Sequence, residues 1–89
     1  MSDLTAEQWS RKTIAQLHDY ERECPDIELF CVGYLIPPVE LLETENGQCR
    51  TSALDWHQLY VDFVEQCMQQ DQVAEDDQQR IRNIMAGLL

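Results

Sequence analysis

The run from Glu28 to Leu42 is the longest nearly uncharged stretch in an otherwise acidic chain, so the other segments must pack around it. Ile27, Phe30, Cys31, Tyr34 and Leu35 recur at helical spacing, and Leu29, Val32 and Ile36 cover the opposite side, which predicts a central helix buried nearly all round. Asp26 stands where an N-cap is expected, its carboxylate beside the positive end of the helix dipole. Gly33 falls inside the helix, where glycine costs about 1 kcal/mol relative to alanine, and a close crossing by a neighbouring helix is the expected reason. Pro37 and Pro38 cannot donate to the backbone ladder, so the central helix is expected to be broken or kinked at that pair. Pro38 is then placed to open a renewed turn, Val39 to Glu45. On this reading Leu29, Phe30, Val32, Tyr34 and Leu35 hold the first, third and last helices together.

The flanking segments carry their own start and stop signals. Thr5 and Gln8 have capping-box spacing, and Leu4 and Trp9 occupy the two hydrophobic-staple positions, so a helix is expected from about Thr5. Its stripe is Ala6, Trp9, Thr13, Leu17, Tyr20 and Cys24, helped by Ile14, and Pro25 ends it. Glu45-Asn46-Gly47-Gln48 is a turn signal. A hairpin is one reading of Asn-Gly, but Glu40-Leu41-Leu42-Glu43 lacks period-2 alternation and favours a helix-to-helix loop. Ser52 with Asp55 three residues on marks the next cap. The helix that follows places Ala53, Trp56, Tyr60, Phe63, Val64 and Cys67 on one face, widened by Leu54, Val61 and Met68. After the polar connector Gln69 to Gln72, the acidic group Glu75, Asp76 and Asp77 opens a last helix, whose stripe is Ile81, Ile84, Met85 and Leu88 and whose end frays at Gly87. The expectation is one all-α domain over residues 1–89, a compact bundle of about four helices.

That order of residues resembles the YfcL-like family of small bacterial proteins: an amphipathic first helix, Asp26 ahead of Glu28-Leu29-Phe30, then Gly33-Tyr34-Leu35, a leucine-rich continuation and two more helices. The likeness runs over most of the chain and is best from Asp26 to Leu35, while the C-terminal half fits through its apolar spacing and through Asp77 ahead of Ile81 and Ile84. Two positions depart from the pattern. Pro37-Pro38 falls where the family reads as continuous helix, and Ala74 stands where a serine cap is more usual. The resemblance implies an all-helical fold and carries no catalytic signature.

Charge and size bound the function. With 89 residues there is room for a modest core, near the size at which a partner subunit helps, so a homodimer is a reasonable expectation. Lys and Arg number 6 against 17 Asp and Glu, a formal net charge of −11 that disfavours direct binding to nucleic acid or anionic membranes. No basic leader or span of roughly 20 apolar residues is visible, which points to a cytosolic protein whose Cys24, Cys31, Cys49 and Cys67 stay reduced. Those thiols and His18 and His57 have no familiar zinc spacing, and Cys31 and Cys67 lie on expected buried faces with no basic sequence neighbour to activate them, so neither a metal, a cofactor nor a catalytic thiol is expected. The three glycines lie too far apart for a phosphate loop.

What remains is the acid. Glu40, Glu43 and Glu45, with Asp55, Asp62 and Glu65, form rows that suit a non-catalytic module binding a basic protein. The plainer reading of any one row is solubility alone. An alternative is a mimic whose carboxylates replace nucleic-acid phosphates in the groove of a DNA- or RNA-binding protein. A small enzyme would need an internal polar pocket, for example one bringing His57 to Cys24 or Cys31.

Overall fold

Thr5 caps the first helix as its spacing predicts. In the computed structural model, which describes residues 3–88, the Gln8 amide donates to Thr5 Oγ1 at 3.1 Å and the Thr5 amide to Gln8 Oε1 at 2.9 Å. Helix α1, Ala6–Glu23, then runs to Cys24, just before Pro25. Helix α2 spans Leu29–Asn46, α3 Ala53–Gln70 and α4 Glu75–Ala86. The architecture is an all-α bundle with four helices among the described residues and a Cα radius of gyration of 12.8 Å, close to the roughly 12 Å expected of a packed chain this long.

Two caps are drawn together by a feature the sequence did not announce. Strands β1, Leu4–Thr5, and β2, Arg50–Thr51, pair antiparallel, and Ala6 N donates to Cys49 O at 3.2 Å. The segment after Asn46-Gly47 is therefore neither a hairpin nor a plain loop. Gly47 ends α2 with a φ of +52°, a backbone angle glycine adopts without a side-chain clash, and the chain returns to pair with the N-terminus. This ladder sets the start of α3, capped by Ser52 Oγ, beside the start of α1.

The core joins all four helices. Trp9 and Leu17 of α1, Val32, Leu35 and Val39 of α2, Trp56, Tyr60, Val64 and Met68 of α3, and Ile81 and Met85 of α4 are buried. Trp9 stacks on Trp56 with ring centroids 5.8 Å apart and meets Tyr60 edge-on at 5.5 Å. Two of their polar atoms are satisfied inside: Trp56 Nε1 donates to Leu4 O and Tyr60 Oη to Leu35 O, each at 2.8 Å. Burial raises the Tyr60 hydroxyl far above the usual tyrosine range.

Several expectations for the central helix are corrected. Asp26 does not cap it: Asp26–Glu28 form a 3-10 turn without a side-chain capping bond, and Glu28 takes the N-cap position of α2, also without one. No separate turn restarts at Val39, because α2 contains both prolines and keeps its helical path to Asn46. The ladder is interrupted within it, since Pro37 and Pro38 leave the carbonyls of Gly33 and Tyr34 without their ordinary donors and crowd the preceding turn, which kinks the helix. Tyr60 reaches the next carbonyl, Leu35 O, and so braces this stretch from α3. Packing holds the helix through the interruption, with Pro38 itself buried beside Val39 and Leu42.

The helix is not buried all round. Its inner face is Cys31, Val32, Leu35, Pro38, Val39 and Leu42, whereas Ile27 is 60% exposed, Phe30 57% and Leu29 43%. Leu29 and Phe30 therefore do not hold the bundle together. Gly33 is exposed, and a Cβ built on it would meet nothing within 4 Å, so no helix among the described residues crosses there. On α3, Leu54 also faces outward, while Met68 takes a full core position. Helix α4 begins at Ala74 without a side-chain cap.

Candidate functional site

Two surface grooves differ in chemistry. One, of about 590 Å³, lies between α1 and α4 and is lined by charges of both signs, including Asp19, Arg22 and Glu23. Arg22 and Asp19 approach at 3.8 Å, and the buried Gln16 Oε1 has no hydrogen-bond partner. The other, of about 540 Å³, is formed by Phe30, Gly33, Tyr34, Pro37, Pro38 and Leu41 of α2, facing Cys67 and Asp71 at the end of α3. No cation lines it.

The second groove is built by the outer face of α2. Phe30, Tyr34, Pro37 and Leu41 follow one another at steps of three or four residues, so they form a stripe on the side turned away from the core. Phe30 and Tyr34 touch with centroids 6.0 Å apart. Across the groove, α3 ends in a Schellman motif: Val73 N donates to Met68 O at 3.1 Å and Gln72 N to Gln69 O at 3.3 Å, with Gln72 at a φ of +54°. This motif sets Asp71 at the helix end, where Tyr34 Oη donates to its Oδ2 at 2.6 Å. Partial burial and that carboxylate together raise the Tyr34 hydroxyl well above the usual range. Tyr20 makes a similar bond to Glu28, which, with some desolvation, pushes its hydroxyl up to about 12.

The acidic residues singled out from sequence are divided between two helices. Glu40, Glu43 and Glu45 lie on α2 and Asp55, Asp62 and Glu65 on α3; Glu40, Glu45, Asp55 and Asp62 are exposed. No hydrogen bond or ion pair among the described residues joins one of these groups to another. Asp55 accepts from Thr51 Oγ1 at 2.9 Å and Asp62 from Gln58 at 3.0 Å. Glu65 is engaged by Arg82 of α4 through two bonds of 2.7 and 2.9 Å, which hold its carboxyl below the ordinary range.

Burial raises the thiols of Cys31 and Cys67, away from the thiolate form that attacks or ligates. His57 is held below its usual pKa by desolvation and lines neither groove. Among the described residues no three His, Cys, Asp or Glu side chains converge as metal ligands, and no helix is long and apolar enough to cross a membrane.

Sequence reasoning placed the stripe of Phe30, Tyr34, Pro37 and Leu41 inside or left it unassigned. The available signal was α2 itself, apolar on two faces although one neighbouring layer of helices can cover only one. No family model, curated protein or solved structure matches the chain.

Proposed function

We propose that this chain is a non-catalytic, cytoplasmic protein-binding module of the YfcL-like kind, whose partner is a basic protein. The observation that carries the reading is the charge of α2 and α3: neither helix contains a Lys or Arg, while both present carboxylates to solvent. Such a surface attracts cationic partners and speeds their encounter. Glu40, Glu45, Asp55 and Asp62 supply the accessible charge; Glu65 contributes less because Arg82 offsets it.

The test is capture of partners from lysate at about 0.15 M salt, followed by titration of the purified partner. Saturable binding of a basic protein is expected, weakening as salt rises and in a variant carrying Glu40→Gln, Glu45→Gln and Asp62→Asn. Absence of any saturable basic partner sinks the proposal. Displacement of the partner by added DNA or RNA replaces it with the nucleic-acid mimic.

A further inference from the structure

Gly33 is unexplained by the fold that contains it. It sits inside α2, where glycine costs about 1 kcal/mol relative to alanine, yet none of the described residues approaches the space its missing side chain leaves. That space opens outward, into the apolar groove between Phe30, Tyr34 and Pro37. A glycine in a helix surface lets another backbone come close. The space is thus open to a backbone from outside the chain.

We infer that the α2–α3 groove is the docking site for a cationic amphipathic helix of the partner protein, which crosses α2 at Gly33 and fills the groove with its apolar side chains. This rests on the reading of the chain as an acidic binding module and adds the place, the conformation and the apolar component of recognition. The stripe from Phe30 to Leu41 covers about 16 Å of helix, enough to receive a ligand helix presenting apolar residues at i, i+4 and i+7. Phe30 and Leu41 are 57% and 50% exposed, so docking removes apolar surface from water at both ends of the stripe. The wall is preformed, because Tyr34 is fixed by its bond to Asp71.

Charge selects the occupant. The groove has Asp71 at its rim and the carbonyl end of α3 beside it, both favouring cations. Neither α2 nor α3 contains a Lys or Arg, and the charged side chain lining the groove is Asp71, so a second copy of this chain would set like charge against like there, whereas Lys and Arg flanking an apolar helix face are complementary.

The probe is a labelled peptide of roughly 18 residues, long enough to form a helix, with Leu at i, i+4 and i+7 spacing and Lys elsewhere. Its control has the same composition in scrambled order, so the two differ only in having an apolar face. At about 0.15 M salt the ordered peptide should bind at least about tenfold more tightly, with amide shifts concentrated at residues 30–41 and 67–71. Phe30→Gln and Gly33→Gln should each weaken binding by about fivefold or more. Gly33→Gln separates docking from folding, since replacing an exposed helix glycine preserves or raises the melting temperature. Equal affinity for the two peptides overturns the inference, as does unchanged affinity in the Gly33→Gln variant, or a dimer of this chain that Phe30→Gln abolishes. If a captured basic protein binds Phe30→Gln as tightly as the parent, the groove assignment falls and the module reading stands. If no basic protein is captured, the module reading falls as well.

Discussion

Two groups of aromatic residues occupy this small protein on opposite terms. Trp9, Trp56 and Tyr60 come from two helices, stack within 5.8 Å and lose nearly all contact with water. Phe30 and Tyr34 are neighbours on a single helix, 6.0 Å apart, and Phe30 remains mostly exposed. The first group is closed on itself, with the Trp56 indole and the Tyr60 hydroxyl directed at backbone carbonyls, Leu4 O and Leu35 O. The second ends on the Asp71 carboxylate at the surface. Both groups are aromatic, and the presence or absence of an opposing helix makes the difference. An aromatic stripe stabilises a fold only where another element covers it; elsewhere it is free to recognise a partner.

Mutation tests the contrast most severely at its two extremes. Trp56→Ala removes a stacked, buried indole and its hydrogen bond and should lower unfolding free energy by about 3–5 kcal/mol in denaturant titration, whereas Phe30→Ala should stay within about 0.5 kcal/mol of the parent. Comparable losses at the two positions would erase the distinction. Tyr60→Phe keeps the packing but takes the donor from Leu35 O beside the prolines, and a loss of about 1–3 kcal/mol is expected by the same titration. Gly33→Ala sharpens the description of the outer face: with nothing near the added methyl, thermal melts should show stabilisation by about 0.5–1 kcal/mol. Destabilisation there would mean that a helix of this chain does cross at Gly33.

The smallest effect lies at the surface pair of Glu65 and Arg82, which solvent screening weakens. Arg82 lowers the folded pKa of Glu65 below the ordinary glutamate value of 4.5, so the pair's contribution is present above that pH and is lost as pH falls through the depressed folded value. Glu65→Gln should therefore lower the melting temperature slightly at neutral pH and leave it unchanged at pH values below the folded pKa. A difference that persists in acid would assign the role of Glu65 to packing.

Much of the fold was legible because helix ends are written locally. Thr5 with Gln8, Ser52 with Asp55, and Pro25 after Cys24 act within one turn, and the structure uses each of them. The stripe of α3 was legible for a related reason: Trp56, Tyr60 and Val64 stand opposite Asp55, Asp62 and Glu65, so only one face suits the interior. The acidic rows on α2 and α3 were equally readable, since charge is a property of composition and not of packing.

The groove was hidden because α2 gives no such contrast. Its apolar residues occur on both sides, and periodicity alone does not choose which side turns inward. Contact with α1, α3 and α4 made that choice, burying Val32, Leu35, Val39 and Leu42 and leaving Phe30, Gly33, Pro37 and Leu41 outside. The pairing of β1 with β2 and the bond from Tyr34 to Asp71 were out of reach for the same reason, since each joins residues far apart in the chain that meet only after the helices have docked. Local chemistry thus determined where the helices begin and end and what charge they carry. Packing determined which apolar face the protein buries and which it leaves exposed, because burial depends on what lies opposite a residue as well as on the residue.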